Sequence, residues 1–536
     1  MSTQERAPLL ADDQEHGQEA NSRAASIQVH QVPTRRLALI LGSIWIGVVF
    51  TAIDATVMAT LLLPMTTDFN SLKTLSWLGS SFLIAATAGI PLAGRLTDIF
   101  GRRAGAVLCN LVFALGTLLC GLAPNEATLV LGRVLAGLGA GPLRTISSFV
   151  SSDLVPTKKR GLVQGINLVF MGAGTAFGGF FGGWMNRLLG WRWAFLIQVP
   201  FLLLGTFLVY LFLDTPRKLS DVPPLRRIDW LGCSTLVSSL TLLLVGLNAG
   251  GNLVPWFHPL LLVTIPLSVV ALVAFVCIEY AWAAEPILPL HMFANRTVSA
   301  SCLTYFFAHM ASFGIIYFIP VYAQIKGHTS TQAGLQFIPQ AAGNATGAVL
   351  AGIIIRQTGR YLMLNAVSQL CLLLAAILFF TLRDSTPAWH PFAYLALHGF
   401  GFGIMLVVAF IALLSAIPHS EQAVGTSALI ALGSEGSTLG VSICSTVFQN
   451  VLQTNLYNRL GDSKEATDII KRVRDSFGAV PTVDPAIRPL VQESFMASVQ
   501  AVFALTLGLN LLASILSFTM KQNTLHNRIS RTDEAS

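Results

Sequence analysis

The sequence predicts an all-α membrane protein that crosses the bilayer about fourteen times. Of its 536 residues, 53% are hydrophobic and only 11% are charged, whereas about a quarter are charged in an ordinary globular protein. Apolar runs long enough to cross a bilayer core of about 30 Å recur along the chain. The low charge and these runs together indicate a surface that faces lipid.

The predicted spans lie between two polar ends of the chain. Residues 1–34 contain no apolar core of a secretory signal, so we expect a disordered cytoplasmic tail, and 521–536 form a second cytoplasmic tail. The spans are predicted from the length of each apolar run. They are 37–63, 76–95, 104–122, 126–150, 162–185, 193–213, 229–249, 257–280, 299–323, 332–355, 362–382, 392–417, 423–450 and 496–520.

Basic residues predict the orientation of the spans. An even number of spans places both termini on one side, and Lys and Arg are concentrated in the loops of that side. The short loops of the other side hold only Lys73, Arg187, Arg192, Lys326 and Arg383. Both termini are therefore predicted to be cytoplasmic by the positive-inside rule.

The long basic loop 455–495 is an exception on the predicted non-cytoplasmic side. Within it Ile469, Ile470, Val473 and Phe477 fall at helical spacing. This pattern fits a short amphipathic helix lying on the membrane surface. It equally fits a solvated loop that caps the bundle.

Several protein classes are excluded by the motifs that the sequence lacks. All seven cysteines lie inside apolar runs and none forms a CxxC pair, which excludes a disulfide framework and a thiolate metal site. HExxH, nucleophile-elbow and phosphate-loop motifs are absent, so we expect no enzyme, metal or cofactor. The net charge of +7 is spread over short loops, so we expect no nucleic-acid partner.

The most specific motif is the loop after the second span, residues 94–103. Its glycines permit a tight turn, and the carboxylate of Asp98 can hold a neighbouring helix end. The loop closely resembles the signature of the major facilitator superfamily, and a degraded counterpart at 352–360 suggests an internal repeat. The conformational latch that this resemblance implies consists of Gly94, Asp98, Gly101, Arg102 and Arg103.

The fourth and fifth spans carry further motifs of this family. Arg133 stands in a ladder of small residues, 132–142, and is similar to the family arginine that takes part in proton coupling. The fifth span resembles the antiporter motif of drug:proton exchangers, with Gly179 in place of its proline. The antiporter-motif glycines are Gly165, Gly174, Gly178, Gly182 and Gly183.

Three strings resemble hallmarks of the fourteen-span drug:proton antiporter family. They lie at 190–195, 227–232 and 285–290, next to the sixth, seventh and ninth spans. This resemblance implies the major facilitator fold with two six-helix bundles, at 35–215 and 291–520. A linker and two inserted helices occupy 216–290 between them.

Four ionisable residues inside the spans are candidates for proton coupling or substrate binding, because an ionised side chain at the bilayer centre costs roughly 2.5–3.5 kcal/mol. Asp54 can bind a proton or a substrate ammonium but hardly both, which is the basis of exchange; its alternative role is a structural pair with Arg133. Glu435 lies among glycines and serines and suits a cation site or a satisfied polar position. Arg144, eleven residues after Arg133, pairs with an acid or faces the aqueous cleft.

Other polar residues are weaker candidates. His309 and His398 lie within spans and titrate near neutral pH, but such histidines are more often hydrogen-bonded packing residues. Asp98 and Asp153 lie at cytoplasmic ends of helices. We expect both to control conformation rather than to touch substrate.

Two strings favour a vacuolar function. Residues 59–62 are similar to those of fungal vacuolar basic amino-acid transporters, and Glu5, Leu9 and Leu10 form an acidic dileucine signal of the kind that sorting adaptors read. The resemblance implies a proton-coupled antiporter that moves lysine, arginine and histidine from the cytosol into the vacuole. The alternative is a plasma-membrane exporter of cationic drugs. Small-molecule substrate, protons and the lipid bilayer are the expected partners in both cases.

Overall fold

The computed structural model describes most of the predicted spans. The described residues are 33–69, 75–155, 157–213, 230–250, 254, 257–281, 290–418, 421–461, 469–470, 472–473, 484 and 487–523. Besides α-helices, these ranges contain the 3₁₀ helix Leu290–Ala294, a 3₁₀ residue at Glu421 and an isolated bridge between Gly250 and Val254, and they contain no β-strand. The all-α prediction is confirmed.

The described ranges contain sixteen α-helices. They are α1 Thr34–Asp68, α2 Leu75–Phe100, α3 Arg102–Leu122, α4 Glu126–Leu154, α5 Thr157–Leu188, α6 Trp191–Leu196, α7 Gln198–Phe212, α8 Trp230–Ala249, α9 Pro259–Ala281, α10 Arg296–Ile325, α11 Ser330–Leu335, α12 Phe337–Thr358, α13 Leu362–Phe380, α14 His390–Ala416, α15 Gln422–Leu460 and α16 Arg488–Ser517. If α6 with α7 and α11 with α12 are each counted as one span, fourteen helical segments stand at the fourteen predicted positions.

Eleven of these segments are long and apolar enough to cross a membrane. Of the other three, α2 and α8 contain the shorter apolar stretches Trp77–Ile90 and Leu231–Leu247. The third is the glycine-rich α5, which is 32 residues long. The protein is therefore a polytopic membrane protein.

Two of the spans, the sixth and the tenth, are broken near their start by proline. Helix α6 ends at Leu196, four residues before Pro200, and α11 ends at Leu335, four residues before Pro339. Proline has no N–H to bond to the carbonyl four residues earlier, and its ring collides with that carbonyl. Each break is therefore set by local sequence.

The order of packing is repeated in the two halves of the chain. In the first half α1 packs on α5, α2 on α4 and α3 on α4. In the second half α10 packs on α15, α12 on α14 and α13 on α14. The helices that correspond by order therefore make corresponding contacts, and we call the two groups the first bundle (α1–α7) and the second bundle (α10–α16).

The bundles meet through their second and fifth spans. Helix α5 packs against α11 and α12, and α2 packs against α15. The inserted helices α8 and α9 pack on each other, with Ser239 Oγ donating to the Ser268 carbonyl over 2.8 Å. Since α8 also contacts α2 and α15, the inserted pair lies beside the seam between the bundles.

The flanking helices extend into the predicted loop 455–495. Helix α15 continues to Leu460 and α16 begins at Arg488. Ile470 and Val473 are buried in the same apolar cluster as Leu452 of α15 and Phe495 of α16. These described residues of the segment are helical and pack onto the bundle, while Phe477 lies outside the described residues.

Candidate functional site

Asp54 of α1 and Arg133 of α4 form an ion pair inside the first bundle. Arg133 Nη1 donates to Asp54 Oδ2 over 2.7 Å, and neither side chain is more than 1% exposed. Burying a single charge is strongly unfavourable, and an opposite charge in contact offsets part of that cost. The structure therefore brings these two candidates together.

Glycines on α4 create the space for this pair. A side-chain carbon at Gly132 would lie 2.9 Å from the backbone nitrogen of Cys120 on α3, and one at Gly137 would overlap the Phe82 carbonyl on α2. Because α4 approaches both helices so closely, Arg133 is enclosed between them. Its guanidinium lies 4.3 Å from the centre of the Phe82 ring, a cation–π contact.

Tyr317 of α10 brings the second bundle to the same place. Its side chain is 2% exposed, and its ring packs on α2 at Gly79, one helical turn before Phe82, whose ring covers Arg133. This places Tyr317 beside the ion pair. Sequence reasoning missed this residue. The available signal was a tyrosine deep in an apolar span, where its hydroxyl needs a polar neighbour.

The glycines of α5 form two contact faces. A side-chain carbon at Gly174 would lie 2.7 Å from the Val49 carbonyl, and one at Gly178 would lie 2.6 Å from the Ile53 carbonyl. Gly182 likewise faces α1, with Thr60 Oγ1 2.7 Å from such a carbon. This face holds α1 tightly on both sides of Asp54. Gly165 lies in α5, but its surroundings lie outside what the structure describes.

The other face of α5 meets the second bundle. A side-chain carbon at Gly179 would lie 2.8 Å from the Gly334 carbonyl, and one at Gly183 would overlap the backbone of Ser330 and Thr331. The substitution of glycine for the motif's proline at 179 therefore falls at the bundle interface. Gly334 was missed in the sequence because its partner is remote in the chain.

A cavity between the bundles contains Arg144. Arg144 is half-buried and has no acidic partner among the described residues. The cavity is lined by Thr51, Phe82, Leu83, Ala86, Ile90, Gly141 and Arg144 from the first bundle and by Phe313, Ile430, Ser434 and Ser437 from the second. Phe82 lines this cavity and also contacts Arg133, so the cavity lies beside the ion pair.

Glu435 lies elsewhere on the second bundle. Ala428 shares a buried cluster with Leu236 of α8, and Thr446 Oγ1 donates to the Leu247 carbonyl of α8 over 2.8 Å. Glu435 is within about 20° of the line joining Ala428 and Thr446 on the helix surface, so its register places it on the side that faces α8. It has no ion-pair or hydrogen-bond partner in the described part of the chain. The structure does not bring Glu435 together with Asp54.

The two histidines are hydrogen-bonded within the second bundle. His309 Nδ1 lies 2.8 Å from the Tyr305 carbonyl, and its ring centre lies 4.2 Å from that of Tyr305 with the two rings tilted by 36°. His398 Nε2 lies 3.0 Å from Ser312 Oγ, and the side chain is fully buried. These contacts match the packing role considered for both residues.

The turn of the predicted latch loop depends on one glycine. Gly101 separates α2 from α3 with a φ of 93°, a left-handed conformation that favours glycine. Arg102 Nη1 donates to Thr97 Oγ1 over 3.0 Å, and its guanidinium lies over Phe149 of α4. Arg103 lies 4.3 Å from the ring centre of Tyr210 on α7. These contacts join the start of α3 to α2, α4 and α7.

The structure does not describe the surroundings of several predicted residues. The positions of Gly94, Asp98 and Asp153 fall within α2 and α4, but the surroundings of their side chains are not described. The sorting residues Glu5, Leu9 and Leu10 precede the described residues altogether. Within the described ranges, no cluster of His, Cys, Asp or Glu could hold a metal ion.

The sequence matches the model of the Major Facilitator Superfamily over residues 44–441. The chain belongs to this superfamily. Its fold agrees, because a bacterial homologue of the human lysosomal transporter Spinster, in an inward-facing and unoccupied conformation, matches with a TM-score of 0.65. That match covers 93% of this chain and all of the other at 19% identity, so it bears on fold alone.

Two fission-yeast relatives within the superfamily have different functions. The multidrug resistance protein fnx1 of Schizosaccharomyces pombe is 34% identical over 92% of this chain and 94% of its own. The vacuolar membrane amino acid uptake transporter fnx2 of the same organism is 30% identical over 94% of this chain and 87% of its own. The superfamily identifies this protein as a membrane transporter of small molecules rather than an enzyme, and the two relatives leave substrate and membrane open.

Proposed function

We propose that this transporter is a proton-coupled antiporter that moves lysine, arginine and histidine from the cytosol into the vacuole. The observation that carries the proposal is the buried ion pair of Asp54 and Arg133. A carboxylate enclosed in this way binds a proton or a cation, and each displaces the other. Such competition links an outward proton to an inward substrate when the two bundles alternate in access.

The cavity beside the pair supports an amino acid rather than a simple cation. Arg144 presents a positive charge there without an acidic partner among the described residues, and it would repel a cationic drug. The same guanidinium matches the carboxylate that every amino acid carries, by charge and by paired hydrogen bonds. We therefore assign Arg144 to the substrate carboxylate and Asp54 to proton and cation exchange.

Glu435 has a separate part in this proposal. An ionised group in the membrane interior is costly without a partner, and the register of Glu435 directs it toward the apolar α8. We therefore propose that it binds a proton away from the substrate cavity, at the junction of α15 with the inserted helices.

Uptake into isolated vacuoles tests the substrate assignment. Labelled lysine and cadaverine, its decarboxylated analogue, would be compared with and without a proton gradient. We expect gradient-dependent uptake of lysine well above that of cadaverine. Arg144→Gln should remove this preference, because only lysine has a carboxylate that can bind the Arg144 guanidinium. Equal uptake of both compounds by the unmodified protein would refute the role of Arg144.

The location of the protein separates the proposal from its alternative, an exporter of cationic drugs in the plasma membrane. The similarity to the multidrug resistance protein fnx1 supports drug export. The dileucine signal of the tail supports delivery to the vacuole by a sorting adaptor. Replacing Leu9 and Leu10 by alanine should move a tagged protein from the vacuolar membrane to the cell surface. An unmodified protein that is already at the surface would favour drug export.

A further inference from the structure

Hydrogen-bonding capacity is left unused at the Asp54–Arg133 pair. Asp54 Oδ1 and Arg133 Nε and Nη2 are buried and have no hydrogen-bond partner among the described residues. The hydroxyl of Tyr317 is buried and lacks a partner in the same ranges, and its ring packs on α2 one turn from the Phe82 ring that covers Arg133. Three side chains from three helices thus place four unsatisfied polar atoms in one region.

Such a group of atoms is a suitable site for ordered water. Buried polar groups in proteins are almost always hydrogen-bonded, to protein or to water. A buried water typically makes about three hydrogen bonds to groups that would otherwise have none. Here a carboxylate oxygen can accept, a guanidinium can donate, and a phenol can do either.

We propose that one ordered water molecule joins Asp54 Oδ1, Arg133 and the Tyr317 hydroxyl, and that Tyr317 is thereby a positioning residue for proton exchange at Asp54. The proposal rests on the antiport function proposed above. Asp54 and Arg133 belong to the first bundle, whereas Tyr317 belongs to the second. The water is therefore fully held only while the bundles are closed around Gly79 and Tyr317, and their separation opens Asp54 to outside water.

The surroundings of the water restrict which groups can exchange its proton. The ionisable groups of the described residues at this site are Asp54 from α1, Arg133 from α4, Cys120 from α3 and Tyr317 from α10. Helix α2 contributes the ring of Phe82, which does not titrate. Of these groups, Asp54 is the one that we expect to change charge during transport.

A structure of the purified wild-type protein by electron cryomicroscopy, at a resolution that shows ordered water, tests the site without any substrate. We expect density within hydrogen-bond distance of Asp54 Oδ1 and the Tyr317 hydroxyl. A closed structure without that density, or with the hydroxyl bonded elsewhere, would overturn the proposal. This result is independent of whether the protein transports amino acids.

The positioning role is tested by Tyr317→Phe, which keeps the ring and removes the hydroxyl. Tyr322→Phe is the matched control, because Tyr322 lies on the same helix and donates to the Arg383 carbonyl, within its own bundle, over 2.9 Å. In proteoliposomes with equal amounts of protein, Tyr317→Phe should displace the pH of half-maximal lysine uptake by about one unit. Tyr322→Phe should leave it unchanged.

An unaltered pH profile in Tyr317→Phe, or an equal displacement in Tyr322→Phe, would contradict the positioning role. A wild-type protein that shows no proton-dependent uptake would instead contradict the antiport function, and the water site would still be decided by the density.

Discussion

The two bundles join their first and fourth spans by different chemistry. In the first bundle, α1 and α4 are joined by the ion pair of Asp54 and Arg133 at 2.7 Å. In the second bundle, the corresponding α10 and α14 are joined by Ser312 and His398 at 3.0 Å. A repeated architecture thus carries a charged pair on one side and a hydroxyl–imidazole pair on the other.

This difference indicates that proton and cation exchange takes place in the first bundle. Removing one partner of a buried ion pair leaves an uncompensated charge and costs about 3–5 kcal/mol. Removing one partner of a neutral hydrogen bond costs about 1–3 kcal/mol. We therefore expect the first arrangement to respond more strongly when a proton or a cation arrives, and the second bundle to contribute mainly packing and movement.

The largest effect is expected from Asp54→Asn, which should abolish gradient-driven lysine uptake. It also leaves Arg133 without a counter-charge, so the amount of folded protein should fall. The double variant Asp54→Asn with Arg133→Gln removes both charges and should recover the amount of folded protein but not uptake. The amount of folded protein is measured by the fluorescence of a tagged protein in detergent, and uptake is measured in vacuoles. Uptake at the unmodified rate per molecule in either variant would remove Asp54 from the mechanism.

The next largest effect on uptake is expected from a substitution at the interface between the bundles. Gly183→Ala places a carbon against the backbone of Ser330 and Thr331, whereas Gly172→Ala on the same helix meets only the Ala341 carbonyl at 3.5 Å. Disfavouring the closed conformer by about 1.4 kcal/mol changes its ratio to the open conformer about tenfold. Uptake should therefore fall several-fold in Gly183→Ala and little in Gly172→Ala. Equal rates in these two variants would show that this contact does not limit movement.

The neutral pair of the second bundle should matter less. Ser312→Ala leaves the His398 ring in place but removes its hydrogen-bond partner, at a cost of about 1–3 kcal/mol of stability. Thermal denaturation should detect this loss, while lysine uptake per folded molecule stays near that of the wild type. If Ser312→Ala abolished uptake in a fully folded protein, the contrast between the bundles would be lost.

The smallest effect is expected at the segment before α13, which is the counterpart of the latch loop in the second bundle. There Gln522 Oε1 accepts from the backbone N–H groups of Tyr361 and Leu362 over 3.1 and 3.2 Å, at the start of α13. Gln522→Ala should cost about 1 kcal/mol of stability with normal uptake.

Asp98→Asn in the first bundle should instead slow uptake at unchanged abundance, because it removes a charge expected to favour one conformer. Uptake slowed equally by both substitutions would mean that the two loops act alike.

Local features of the fold could be predicted from the sequence. The spans follow from the lengths of apolar runs, and the breaks near 197 and 336 follow from Pro200 and Pro339. The turn at Gly101 follows from a motif in which glycine is needed. The ends of α15 and α16 were predicted less well, because these helices continue through the polar residues of the loop between them.

The partners of the site residues depended on tertiary structure. Sequence predicted that Asp54 and Arg133 were candidates, because a charge in an apolar span needs a reason, and it left open whether they pair. It grouped Glu435 with Asp54, but the register of α15 turns Glu435 toward α8. The helical face of a residue is fixed by its position in the chain, whereas the neighbour of that face is not.

The sequence by itself therefore determined the membrane class, the spans and the polar residues that they bury, because hydrophobic length and periodicity act within one helix. Only the tertiary structure decided that Arg133 reaches Asp54 across 79 positions, that Gly183 meets the second bundle and that Tyr317 reaches the ion pair. These contacts arise from helices packing at glycine-lined faces, and which faces meet is settled by the whole bundle.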